Sequence, residues 1–159
     1  MIATMKKTMT IWGIGGSLAV STIIFAALIV TINGAIVPQW HITLISERAA
    51  LFIGSALIFI GIVVLVISAR TVTRVFQEGK LATTGIYGIV RNPLYSAWII
   101  CIVPGIVIIS RYLLWWLIPI FMYTVFKILI KKENDYLEQQ FGDEYRAYRK
   151  KVNELLPRI

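Results

Sequence analysis

Two stretches of this chain, Ile11 to Ile32 and Ala49 to Ile67, contain no charged residue at all. An α-helix needs ~20 apolar residues to cross a ~30 Å hydrocarbon layer, and each stretch supplies one such helix. A third apolar region, Ala97 to Ile130, is interrupted only by Ser110-Arg111 and Lys127. As a single helix it would be about 50 Å long, too long for a bilayer. It is better accommodated as a helical hairpin turning at Ser110-Arg111. Asn92 is the expected N-cap of its first arm and Pro93 the first helical residue. Pro104 and Pro119 fall inside the arms and are expected to kink them.

Composition agrees. Charged residues make up 15% of the chain, against about 25% in a soluble domain, and Cys101 is the only cysteine. A disordered chain and a disulfide scaffold are both excluded. The expected fold is all-α: a single polytopic membrane domain over 1–159, with spans near 11–32, 49–67, 93–109 and 112–130. The apolar stretch after Lys6 and Lys7 exceeds a normal signal core, so it reads as a retained span.

Of the 16 lysines and arginines, only Arg48 and Arg111 fall on one side of these spans. The positive-inside rule therefore places both termini and the middle loop in the cytoplasm, as a multi-pass protein. Of the eight acids, only Glu47 lies on the opposite side. The cytoplasmic face is thus a mixed polar cap. It suits membrane lipid and a zwitterionic small molecule, and no nucleic acid is expected as a partner. The outer loop carries His41, the single histidine, read as a solvated loop residue. One histidine and one cysteine on different segments supply no metal site.

Beyond Lys132, in the tail 131–159, Leu137, Phe141, Tyr145, Tyr148, Val152 and Leu155 recur at helical spacing. They predict cytoplasmic amphipathic helices, bent or broken at Gly142. Such a tail either lies on anionic lipid or folds back as a cap over a pocket. The middle segment, GKLATTGIYGIVRNPLYSAW from Gly79 to Trp98, is polar, glycine-bearing and aromatic. Tyr87 and Tyr95 suit a pocket at headgroup level or interfacial anchoring. Arg91 suits a carboxylate or phosphate, or simple topology. Glu133 stands where the last span ends. It is either a first-turn acid paired with Lys131 and Lys132 or a carboxylate holding a cationic ligand.

The pair GIYGIVRNPLY and ENDYLEQQFGDEYRAYRKKV, closing on Leu156-Pro157, resembles the isoprenylcysteine carboxyl methyltransferases and related phospholipid methyltransferases. The resemblance covers roughly Gly79 to Pro157. It implies S-adenosylmethionine as cofactor, contacted by Gly79, Lys80, Leu81 and Ala82, by Tyr87, by Asn92, Pro93, Leu94 and Tyr95, and by Glu133. Arg91 is the candidate catalytic group. The implied reaction is methyl transfer to a lipophilic or lipidated acceptor, by family default the carboxyl group of an isoprenylcysteine. Phospholipid or small apolar thiol or amine methylation is the enzymatic alternative, and a non-catalytic membrane assembly subunit is the rival class. The family pattern Arg-His-Pro is here Arg91-Asn92-Pro93, and Glu133 is followed by Asn134 rather than a second acid. The position of the prenylcysteine enzymes' substrate-binding arginine, one helical turn before Glu133, is here Leu129.

Overall fold

A computed structural model describes residues 13–37 and 40–158. The expected start of the first span at Ile11, with Lys6, Lys7 and Pro38, lies outside the described residues. Four helices are long and apolar enough to cross a membrane, and the described residues form no β-strand beyond an isolated bridge. The protein is an all-α polytopic membrane protein.

Helix α1 spans Gly15–Ile36 and α2 spans Glu47–Gln77. Ser46 caps α2, its hydroxyl accepting from the Ala49 N–H at 3.2 Å. A short turn of helix, α3, covers Ile86–Ile89. The first arm of the hairpin, α4, runs Pro93–Ser110, and the second, α5, runs Leu117–Lys151 after a 3-10 turn at Leu114–Trp116. The hairpin turns where expected, at Arg111, which adopts the left-handed conformation (φ 59°) at the end of α4. There the turn pairs with the α1–α2 loop. Ile42 N–H donates to Arg111 O at 2.7 Å and Leu113 N–H to Trp40 O at 3.0 Å.

The sequence reading needs correction in three places. Helix α2 continues about ten residues beyond Ile67, to Gln77, where its last turns pack against the following loop and line a cavity. Pro104 produces no simple kink. Residues Ala97–Ile102, just before it, form a π-helix, a shift in the hydrogen-bond ladder that accommodates the missing N–H. Pro119 lies in the first turn of α5, where an N–H has no intrahelical partner anyway.

Large side chains on the flanks point outward, Phe52 being 77% and Ile24 66% exposed, a surface suited to lipid rather than water. The interior cluster joins Ile14 just before α1, Leu18 of α1, Tyr95 and Ile99 of α4, Met122, Phe126 and Ile130 of α5, and Leu155 of the tail. Phe25 stacks on Phe121 with centroids 4.0 Å apart, fastening α1 to α5. Helices α2 and α4 meet backbone to backbone. A Cβ on Gly54 would lie 2.6 Å from Gly105 O, and one on Gly105 would lie 2.8 Å from Gly54 O. Small residues at such a crossing let dispersion forces act where no hydrophobic effect drives association.

The tail folds back. Gly142 (φ 54°, ψ −125°) turns α5 through a conformation that a side chain would disfavour. The bend is fixed by a buried hydrogen bond of 2.6 Å from the Tyr145 hydroxyl to Asn134 Oδ1, and by Arg146 against Glu138 at 3.0 Å. Asn134, where the family pattern has a second acid, is thus a neutral acceptor for a buried phenol. Beyond Lys151 the chain runs beside the middle loop, Arg91 N–H donating to Asn153 O and Asn92 N–H to Glu154 O.

Candidate functional site

The folded-back tail forms one side of an open cavity of about 280 Å³ at the end of the bundle that holds the 78–92 loop. That is near the small end of the ~300–1,000 Å³ typical of ligand pockets. Its walls come from every part of this end. Val72, Val75 and Phe76 end α2, and Gly79, Lys80, Leu81 and Ala82 follow in the loop. Tyr87, Arg91 and Asn92 lead to Leu94 and Tyr95 at the base of α4. Glu133, Tyr136, Leu137, Gln140 and Phe141 face in from α5, and Tyr145 and Tyr148 from beyond the bend. Gly13 completes the wall ahead of α1.

All the residues singled out from sequence therefore converge here except Pro93. It is fully buried and begins α4 without reaching the cavity. Asn92 holds the N-cap position, but its side chain makes no cap bond. The sequence reading missed the last turns of α2, because their polar and apolar residues carry no motif. Gly13 belongs to no motif in the sequence. The tail stripe had left its target open, and the structure turns Leu137, Phe141, Tyr145 and Tyr148 onto the cavity.

Glu133 sits deep in this wall. Its Oε2 accepts from the Tyr95 hydroxyl at 2.8 Å and from the Ile14 N–H at 3.1 Å, while Oε1 has no partner among the described residues. Of the two readings the sequence left open, the pairing with Lys131 and Lys132 does not occur among the described residues. Arg91 is 8% exposed. Its Nη2 meets Glu154 Oε1 at 3.2 Å and its Nη1 reaches Arg149 O at 3.5 Å. Glu154 also binds Lys127. The guanidinium thus ties the loop to the tail, yet its Nε and the neighbouring Asn92 Nδ2 are buried with no partner among the described residues. Unpaired buried donors cost ~1–3 kcal/mol each, and these two are closed off from the open space of the cavity.

Tyr87 presents its ring to the cavity, while its hydroxyl reaches Ser68 O at 3.4 Å and its carbonyl accepts the Tyr148 hydroxyl at 2.6 Å. Burial, with lesser effects of Tyr148 and Glu133, pushes the Tyr87 phenol well above its ordinary value, so it stays neutral. Lys80 turns its ammonium outward to Glu78 at 3.0 Å, and that contact, with Arg74, holds the Glu78 carboxyl below its usual range. Among the described residues no group of three or more His, Cys, Asp or Glu could hold a metal.

A family model described as phospholipid methyltransferase matches residues 48–144, well over half of the chain. The chain belongs to the phospholipid methyltransferase family. Two curated proteins from Oryza sativa, subspecies indica and japonica, are similar to it. Each is a probable protein-S-isoprenylcysteine O-methyltransferase, 31% identical over 117 residues, spanning 68% of this chain and 61% of the relative. The protein-S-isoprenylcysteine O-methyltransferase of Schizosaccharomyces pombe is 34% identical over 83 residues, 52% of this chain and 35% of the relative. The chain thus spans about three fifths of the length of the first of these relatives. No solved structure matches it significantly. The family match takes in α2, α4 and the tail as far as the bend, and so most of the cavity wall.

Proposed function

We propose that the protein transfers a methyl group from S-adenosylmethionine to a lipophilic acceptor at the cytoplasmic face of the membrane. The observation that carries this reading is the set of polar groups lining the cavity. One wall holds a buried carboxylate, Glu133, whose Oε1 has no partner among the described residues, and Arg91 and Asn92 line the cavity as residues that carry donors. An amino-acid moiety needs that combination, an acceptor for its ammonium and donors for its carboxylate. The residues present fit the group. Rings of Tyr87, Tyr95, Tyr136 and Phe141 offer π faces, which attract a sulfonium and stack on a purine.

When bound, the cofactor supplies a methyl group on a sulfonium, open to direct displacement by a nucleophile. Glu133 holds and orients the bound molecule, with its own position fixed by Tyr95 and Ile14. Arg91 serves as a positioning residue, keeping the tail docked through Glu154 and Arg149. Gly79 to Ala82 and Leu94 shape the wall, and Pro93 sets the entry into α4 from behind it. The tail excludes water, and the chain aligns the reactants in a dry space. Such a displacement requires no covalent nucleophile from the protein.

Methylation of an isoprenylcysteine carboxyl group is the default that the relatives support. A phospholipid amine or small apolar thiol is a second reading, favoured by one observation. Leu129 packs against the interior cluster, so a substrate carboxylate meets no cation there. Incubating the protein in lipid with methyl-labelled S-adenosylmethionine, a prenylated cysteine analogue and mixed phospholipids tests both readings. Label in an extracted acceptor supports transfer and names its class. No label in any acceptor, with no cofactor bound, favours a non-catalytic assembly subunit.

A further inference from the structure

The two donors to Glu133 come from different ends of the chain. Tyr95 belongs to α4, but the Ile14 N–H belongs to the approach to α1, outside the 48–144 stretch that matches the family. Ile14 N–H also lies 3.2 Å from the Tyr95 hydroxyl, so the three groups form one closed triangle. Next to it, Gly13 lines the cavity with φ +52°. A Cβ built on Gly13 would collide with Glu133 Oε2, and would stand 2.8 Å from Glu133 Cδ and 2.9 Å from the Tyr95 hydroxyl. Gly16, three residues on, has nothing within 4 Å of such an atom. The crowding at Gly13 comes from the Glu133 carboxylate first and the Tyr95 hydroxyl second.

We infer that Gly13 is a positioning residue for the site. Its bare backbone admits the Glu133 carboxylate to the Ile14 N–H, and so fixes which oxygen is tied down and which faces the ligand. The role goes beyond the function proposed above in assigning part of the site to the segment before α1. It rests on that reading only for the identity of the ligand. Glycine is required twice over, for the positive φ and for the space. The peptide dipoles of α1 add to the hold, because a carboxylate beside the N-terminal N–H groups of a helix is favoured. With Oε2 so held, Oε1 is left in one orientation for a cationic group.

The test compares the wild type with Gly13→Ala, Glu133→Ala and the double variant in lipid nanodiscs. The first measurement is the unfolding equilibrium without ligand. If Gly13 makes room for Glu133, Gly13→Ala raises the unfolding constant less in the Glu133→Ala background than in the wild type. The expected difference is about threefold or more, as for residues in direct contact. The strain of alanine at positive φ is common to both backgrounds and cancels. If Gly13→Ala alone fails to fold and the double variant folds, the inference stands. Equal effects in the two backgrounds, or a double variant that also fails to fold, would overturn it. The second measurement is S-adenosylmethionine binding, where Gly13→Ala is expected to raise Kd about tenfold, the loss of one charge-assisted hydrogen bond. Unchanged affinity would also overturn the inference. A wild type that binds no cofactor would sink the proposed function instead, and the unfolding cycle would still decide the role of Gly13.

Discussion

Removing the Glu154 side chain should open the tail. Glu154 Oε1 lies 3.2 Å from Arg91 Nη2 and Oε2 binds Lys127, while the Arg91 side chain is 8% and that of Glu154 22% exposed. The partly buried Arg91 contact should be worth ~1.5–3 kcal/mol, as a hydrogen bond between charged groups. The Lys127 contact is half-exposed and adds ~0–1 kcal/mol. Glu154→Ala also leaves Arg91 with a single acceptor, Arg149 O at 3.5 Å. Together these make the docked tail less stable by about 2–3 kcal/mol. The amides of Arg91 and Asn92, which donate to Asn153 O and Glu154 O, report the docking directly. At 1.4 kcal/mol per tenfold, their hydrogen exchange should accelerate by about 30-fold or more, if they exchange through local opening. Amides in the middle of α2 should not change. Unaltered exchange at residues 91–92 and 145–151 would refute the claim that this ion pair latches the cap.

Tyr148→Phe leaves the buried Tyr87 carbonyl without its donor and should destabilise the protein by ~1–3 kcal/mol in denaturant titration. No change in midpoint would count against that bond. Gly54→Ala forces a Cβ to within 2.6 Å of Gly105 O and should cost ~1–3 kcal/mol in the same assay. Gly34→Ala, where nothing lies within 4 Å, serves as its control. Tyr87 holds its proton more tightly folded than unfolded, so it contributes no pH dependence below the ordinary tyrosine value of ~10. Stability should then fall as the pH rises above that value. In Tyr87→Phe the alkaline decline should be shallower, and an identical profile would show that Tyr87 does not contribute.

The spans were legible because uncharged stretches of bilayer length have few alternatives, and the hairpin because Ser110-Arg111 divides a stretch too long for one helix. Most of the lining of the candidate site was legible too, through motifs rather than periodicity. The segments 79–82, 87–95 and Glu133 lie far apart in sequence and meet on one cavity. What stayed hidden depends on contacts between distant segments. The polar end of α2 carries no apolar run, so its extension to Gln77 shows only once the loop and tail are in place. The tail stripe fits a lipid surface as well as a pocket. The choice between them is made by the bend at Gly142, the Tyr145–Asn134 bond and the Arg91–Glu154 pair. Arg91 looked like a ligand-binding cation, and two of its three nitrogens are spent on holding the tail. Gly13 gave no signal, because the reason for it is the carboxylate of a residue on another helix.

The central claim is that the cavity binds S-adenosylmethionine through Glu133, and calorimetric titration of the protein in lipid nanodiscs tests it most directly. The account predicts saturable binding at one site, weakened in Glu133→Gln by about 1.5–3 kcal/mol, the loss of a charged hydrogen bond. That corresponds to a Kd about 10- to 150-fold higher. Absence of saturable binding by the wild type, or equal affinity in Glu133→Gln, would contradict it.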